Sequence, residues 1–413
     1  MPPPPQPRDP ARPDRAIDLR APAGAGAVNP ADAARGLPAK HGVLVFEHRA
    51  DDAQRPETIA VIATADLRAA AQRRLAGESG PKADLSAVCG GLLAWVCGSS
   101  FEADALWLEL ARSRAPKTYT AALERWTVWF LRLDPRAEQP VWAAVDPLAL
   151  GRAEREALAP ETLIGPFATR DQARGFGRWL DDTFELCREP ARLAKRPDAT
   201  ACAYKQMGLC PAACDGSEPM SAYRARVRAA LDLVRTGPDT LRQQLEHQMR
   251  DAAAAMDFER AATLRERLDR LADLNTPAWR RATTLDRFAA LAVRPAGRTG
   301  WARLIAHAGG RSAWIADVRA DRDGHEAAEP ALERFASTQR GVDLSRPAIE
   351  RLCVAARALL SPRRGAGAIL PLYRGVGGTA GADRAPIRKA VRAAARVDRD
   401  QPDAAAATGE LSC

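Results

Sequence analysis

The sequence predicts a mixed α/β (α+β) protein made of several parts, and three observations point there. Short β-branched and aromatic runs such as HGVLVF, TIAVIA and RWTVWFLRL read as strands. Among them lie stretches with apolar residues at helical spacing, the strongest being a pair over 238–274. Proline-rich and Gly/Ala/Arg-rich ends bracket this patterned middle.

The chain has 413 residues, and 61 Lys+Arg against 52 Asp+Glu give it a formal charge of +9. Only six of the bases are lysine, so the surplus is arginine. The length allows two or three domains with a real core. No apolar run approaches the ~20 residues of a membrane span, and the start MPPPPQPRDP has no signal-peptide pattern. No membrane partner is expected, and the expected location is cytoplasmic. Eight cysteines without an export signal argue against a disulfide scaffold.

Residues 1–40 hold ten of the 31 prolines and few large apolar side chains, so a disordered tail is expected there. Residues 41–135 run HGVLVF, TIAVIA, the helix ADLRAAAQRRL, then DLSAVCGGLLAWVC, a helix from Phe101 to about Arg114, and the strand within RWTVWFLRL. Residues 136–220 form a linker and a cysteine-rich region, and 221–280 a helical hairpin. A small α/β region over 281–361 has strand-like RFAALAV, ARLIAHA and SAWIADV and a helix around Ala348–Leu360. Residues 362–413 read as a second disordered tail, in which Ile387 to Val397 forms a transient Arg-rich helix.

Cys187, Cys202, Cys210 and Cys214 fall in the pattern C-x14-C-x7-C-x3-C. Four local thiolates in a reducing compartment suit zinc or an iron–sulfur cluster. Structural zinc favours paired short knuckles, and only Cys210–Cys214 approaches one. A cubane accommodates irregular gaps more readily. In the following hairpin, Leu241, Leu245, Met249, Ala252 and Met256 share one stripe, and Ala261, Leu264, Leu268 and Leu271 another. Asp257 is placed to cap the second helix, with Glu259 in its first turn. A lone pair of this size buries too little, so the stripe requires a partner.

Gly165-Pro166-Phe167, Leu186-Cys187, Tyr204, Gln206, Gly208 and Gly216, set around the four cysteines, resemble the region after the nuclease domain in the UvrC family. That family supplies the incision subunit of bacterial nucleotide excision repair; the Leu186-Cys187 placement is closer to its shorter Cho-type relatives. The resemblance implies a 4Fe-4S cluster on the four cysteines, with zinc as the alternative. Met249, Ala252, Phe258, Glu259, Ala261, Ala262 and Arg265 fill the family's UVR motif. This implies a UvrB-like partner, met by Leu245, Met249, Phe258, Glu259, Ala262 and Arg265.

The resemblance, which spans about 41–275, also implies a GIY-YIG nuclease fold over 41–135. Gly42-Val43-Leu44 stands at its first signature strand and Ala60 to Ala63 at its second. Arg68 stands at the phosphate-binding arginine, Glu109 at the glutamate that would hold Mg or Mn, and Tyr119-Thr120 at a later Tyr-Asn pair. None of the four tyrosines (119, 204, 223, 373) lies between 41 and 118. Leucine and alanine cannot orient water or pass a proton, so a degenerate site with weak or lost cleavage is expected. The family's C-terminal nuclease half is represented only by Asp286 and SAWIADVRADRDG. The leading reading is a repair-associated protein that binds DNA through its arginine surplus. Two alternatives stand beside it. One is an active, divergent GIY-YIG endonuclease using Arg68 and Glu109; the other is a zinc-stabilised interaction adaptor.

Overall fold

The computed structural model describes residues 10–19, 30–48, 57–77, 84–296, 299–321, 341–361, 368–373 and 384–396. Its first sheet contains β1 (Arg15–Asp18), β2 (Gly42–His48), β3 (Thr58–Thr64) and β4 (Cys89–Val96), in the order β1-β4-β2-β3 and antiparallel throughout. Residues 42–47 are buried on both faces, so the strand reads as a continuous apolar run rather than an alternation. Leu44, Phe46, Ala60 and Ile62 face helix α1 (Leu67–Leu75). Val43, Val45, Val61 and Ala63 face helix α2 (Ser100–Arg114) on the other side. Asp66 and Ser99 cap the two helices by accepting from the amides of Ala69 and Glu102. Gly42 has no room for a side chain: a Cβ there would lie 2.1 Å from the Trp95 carbonyl oxygen.

The second sheet joins β5 (Trp129–Arg132), β6 (Ala143–Val145), β7 (Leu163–Phe167) and β8 (Thr283–Thr284) in the order β6-β5-β7-β8. The strand expected within RWTVWFLRL therefore forms, but it pairs with β6 and β7 rather than with the first sheet. Both of its faces are apolar. Val128 and Phe130 enter one core and Leu131 and Leu133 the other, so the pattern gives no preference between sheets. Helices α3 (Arg170–Phe184) and α4 (Met220–Thr236) pack into this second core, followed by α5 (Asp239–Ala254) and α6 (Phe258–Arg270).

The third sheet contains β9 (Ala289–Pro295), β10 (Trp301–Ala308), β11 (Arg311–Arg319) and β12 (Ala368–Pro371), ordered β11-β10-β9-β12 and antiparallel. Helix α7 (Arg346–Leu360) covers the face bearing Ala290 and Ala292, and α8 (Arg384–Arg396) covers the face bearing Leu291 and Val293. The first and third sheets thus share one core, with α2 and α7 between them.

Both expected tails need correction. Within 1–40, β1 pairs with β4, and Ala34 and Leu37 are fully buried. Within 362–413, β12 pairs with β9, and α8 buries Ala390, Val391 and Ala394. These elements are short or alanine-rich, and their order comes from docking on sheets distant in sequence, which composition does not register. The remaining residues of those two stretches lie outside the described ones. No helix among the described residues is long and apolar enough to cross a membrane.

Candidate functional site

The cysteine loop hangs between α3 and α4. Helix α3 presents Ala173, Phe176, Gly177, Leu180 and Phe184 to the core at helical spacing. It ends at Glu185 in the left-handed region, where the Leu186 amide donates to the Asp181 carbonyl at 3.0 Å. Tyr223 of α4 then fixes the first cysteine. Its hydroxyl accepts from the Cys187 amide at 3.3 Å and donates to the Pro140 carbonyl at 3.2 Å. Cys202 opens a single helical turn, its carbonyl accepting from the Lys205 and Gln206 amides. The Cys210 sulfur accepts from the Ala212 amide at 3.4 Å, and the Cys214 carbonyl accepts from the Ala199 amide at 3.2 Å. Gly216 closes the turn with a φ of 78°, a conformation that costs other residues steric strain.

All four thiols are buried and none forms a disulfide. Burial pushes Cys187 up to about 11, and the nearby Cys210, Cys214 and Cys202 add like-charge repulsion. Burial also raises Cys210 and Cys214, and Cys202 raises both further. These mutual influences put the four sulfurs in one neighbourhood. Among the described residues, however, no three or more His, Cys, Asp or Glu side chains are arranged as a metal-binding group. Cations border the loop. Arg226 and Arg188 favour the Cys210 thiolate, and the charged Arg192 is favoured first by its hydrogen bond to Glu189 and then by Cys202 and Cys214. Arg226 also binds Glu218 and the Phe184 carbonyl, while Lys205 ties Asp215 at 2.6 Å and Ser217 at 2.5 Å. The loop thus sets four buried thiols inside a border of basic side chains. Sequence reasoning missed Tyr223, Arg188 and Arg226, because their roles come from contacts with no local sequence signature.

The hairpin α5–α6 lies against the same core. Leu245, Ala252 and Leu264 are buried there, and Met249, Ala261 and Leu268 are half-buried. Trp179 donates to the Arg270 carbonyl at 3.2 Å, and Arg267 pairs with Glu185. The stripe expected to need a partner is thus covered in large part by the chain itself. Leu245, expected at a partner surface, is only 5% exposed and instead anchors the hairpin. The turn carries Met256 at a φ of 58°, and Asp257 caps α6 through the Arg260 amide at 3.1 Å, as expected. Met256 is 77% exposed and Phe258 68%. Glu259, Ala262 and Arg265 are exposed on α6. An open groove of about 420 Å³ between the helices is lined by Glu246, Met249, Arg250, Arg265, Leu268 and Asp269.

The residues expected at a nuclease centre are not brought together. Arg68 lies on α1, on the Leu44 face of the first sheet, and its Nε donates to the Leu37 carbonyl at 2.7 Å. Glu109 lies on α2, across the sheet, and its carboxylate accepts from Arg112 at 2.9 Å and Arg351 at 3.3 Å. Leu44 and Ala60 are buried under α1. Tyr119 is also buried, its hydroxyl 3.2 Å from a Glu350 carboxylate oxygen, and burial with that charge raises its pKa. Asp286, expected as a remnant, pairs with Arg235 at 3.2 Å.

The buried four-cysteine loop between two helices and the capped amphipathic hairpin that follows it are the two parts of the chain that match known families. Residues 142–233 match the family UvrC/Cho excinuclease, middle domain, and residues 239–274 match the UvrB/uvrC motif. In these two modules the chain is similar to proteins of the UvrC family. It is 33% identical over 172 residues to UvrABC system protein C of Syntrophotalea carbinolica, covering 40% of this chain and 26% of that one. It is 30% identical over 243 residues to the Stenotrophomonas maltophilia protein of the same name, covering 57% of this chain and 37% of that one. The Thermus thermophilus protein is 34% identical over 107 residues, 26% of this chain and 18% of that one. The chain thus matches well under half the length of these relatives. No solved structure matches it.

Proposed function

We propose that this protein acts in nucleotide excision repair as a binding member of the UvrC family, engaging DNA and a UvrB-like partner, with its N-terminal nuclease site lost. The observation that carries the reading is the hairpin's division of surface. One stripe is buried at Leu245, Ala252 and Leu264, while Met256 and Phe258 stand exposed at the turn beside Glu259, Ala262 and Arg265. Large apolar side chains exposed together at a rigid tip suit a protein contact.

Loss of cleavage is supported by the first sheet. A divalent metal on Glu109 would have to displace two guanidinium groups, and Arg68 lies beyond the sheet. Where the signature tyrosines would stand, Leu44 and Ala60 are sealed under α1. Cys187, Cys202, Cys210 and Cys214 would hold a 4Fe-4S cluster, with Arg188, Arg192 and Arg226 offsetting its negative charge. Such a cluster would supply a cross-link between α3 and α4. Zinc on the same thiolates would serve the same structural purpose.

The test is capture of purified UvrB by the intact protein. Phe258→Asp is expected to abolish capture while leaving the fold unchanged. Equal capture by Phe258→Asp and wild type would refute the assigned surface. Incubation with Mg or Mn and damaged duplex separates the nuclease alternative: incision lost in Glu109→Ala would establish an active enzyme. Iron and sulfide content with visible absorbance after anaerobic purification, against zinc content, decides the metal.

A further inference from the structure

Helix α8 carries a one-sided charge pattern that neither matched module includes. Its sequence RAPIRKAVRAAAR contains Arg384, Arg388, Lys389, Arg392 and Arg396 and no acidic residue. Ala390, Val391 and Ala394 are buried against the third sheet, while Arg388, Lys389, Arg392 and Arg396 are exposed. At 3.6 residues per turn these four cations fall within an arc of about 100°. Arg388, Arg392 and Arg396 form a ridge with steps of about 6 Å along the axis. Elsewhere in the molecule arginines are commonly paired, as Arg112 is with Glu350 and Arg303 with Asp317. None of the four cations on α8 has a carboxylate partner among the described residues. The acids nearest in the neighbouring strand and just after it are already engaged, Asp317 on β11 by Arg303 and Asp321 beyond it by Arg319.

A basic amphipathic helix also suits a lipid surface, but that use requires a free apolar face. Here the apolar face is spent on Leu291, Val293, Leu304 and Ala306, and the exposed face offers no large apolar side chain for insertion. What remains is a row of cations on a docked helix, mostly guanidinium, whose fork geometry matches phosphate oxygens. The exposed Ala385 and Ala393 beside the row leave the surface low enough for a phosphodiester backbone to approach. We propose that the outer face of α8 is a docking surface for the phosphate backbone of duplex DNA, binding without regard to sequence. The inference rests on the reading that the protein works on DNA and assigns that contact to a surface outside the family-matched modules.

The test uses the full chain and a labelled duplex of random sequence, with affinity measured across a salt series. The comparison is a variant carrying Arg388→Gln, Lys389→Gln, Arg392→Gln and Arg396→Gln. Each lost phosphate contact reduces the slope of log affinity against log salt by about 0.9. The quadruple variant is therefore expected to lose about 3.6 units of slope and bind more than about 10-fold more weakly at low salt. Arg392→Gln alone is expected to lose about one unit, which keeps the test valid if the quadruple variant misfolds. Wild type that binds DNA while the variants keep its slope and affinity overturns the assignment to α8 and leaves the DNA reading standing. Wild type that binds no DNA overturns both. Preferential binding of wild type to phosphatidylglycerol vesicles, lost in the variants, overturns the DNA assignment in favour of a lipid surface.

Discussion

Glu350 joins the N-terminal and C-terminal parts of the chain through a buried carboxylate, and replacing it gives a direct test of the shared core. Its side chain is 0% exposed. One carboxylate oxygen accepts from Arg112 at 2.7 Å and the other from Arg346 at 2.7 Å and Tyr119 at 3.2 Å. Glu350→Ala takes this acceptor from two guanidinium groups and a buried hydroxyl, leaving Arg112 with Glu109 and Arg346 with the Leu148 carbonyl. Removing one partner of a buried charge pair costs about 3–5 kcal/mol. Arg112 and Arg346 keep 22% and 31% of their side-chain surface in water, so solvent recovers part of that cost. The expected loss is therefore about 2–3 kcal/mol. Glu350→Gln keeps volume and one acceptor and is expected to lose about half as much. Urea unfolding of the intact chain, followed by tryptophan fluorescence, reads this loss directly. Arg112→Ala combined with Glu350→Ala is expected to cost less than the sum of the two single changes. A loss below about 0.5 kcal/mol for Glu350→Ala, or strict additivity in the cycle, would refute the clamp.

Three further outcomes follow from single sites. Burial raises Asp181 to about 7, although Trp142 donates to it at 2.9 Å and Arg188 lies near. A carboxyl raised in the folded state stabilises fully below its unfolded pKa, and that contribution is lost as pH rises through about 7. Asp181→Asn should therefore raise the melting temperature at pH above 7, have little effect at acid pH, and flatten the pH profile between; an unchanged profile counts against it. Leu245→Ala should destabilise by about 2–4 kcal/mol, because it empties a core position. Phe258→Asp should instead stay within about 0.5 kcal/mol of wild type in the same urea titration. Gly42→Ala drives a methyl group into the Trp95 carbonyl and is expected to cost more than about 2 kcal/mol by thermal unfolding.

The strands at 42–48 and 58–64 and helices α1, α2, α5 and α6 were legible because their apolar spacing and caps are local. The four cysteines were legible for the same reason: 28 consecutive residues contain them all. What the sequence hid was long-range. Nothing near Arg15 or Ala368 announces that β1 and β12 complete sheets, because their hydrogen-bond partners lie at Gly91–Ala94 and Ala290–Val293. Leu245 and Met256 follow the same helical spacing, yet one is interior and the other fully displayed, because α4 and the second core cover only the base of the hairpin.

Helix α2 is fixed in the shared core by contacts that involve no metal. It is the element to which family resemblance assigns a metal-binding glutamate, and here it is held at both ends by the C-terminal part of the chain. At its N-terminus, Arg294 donates to the capping Ser99 at 2.7 Å and lies 4.2 Å over the ring of Phe101. Phe101 in turn meets His307 edge-on at 5.1 Å, and burial lowers that histidine to about 3, so it stays neutral inside the core. Near its C-terminus, Arg112 reaches Glu350, and Arg351 reaches Glu109. Between the ends, Trp107 donates to the Val61 carbonyl at 2.8 Å. Each contact requires α2 to keep its position and none requires a metal. The contacts of the shared core alone therefore account for the position of the helix and of Glu109, whose carboxylate meets Arg112 of its own helix and Arg351 of the layer that covers it.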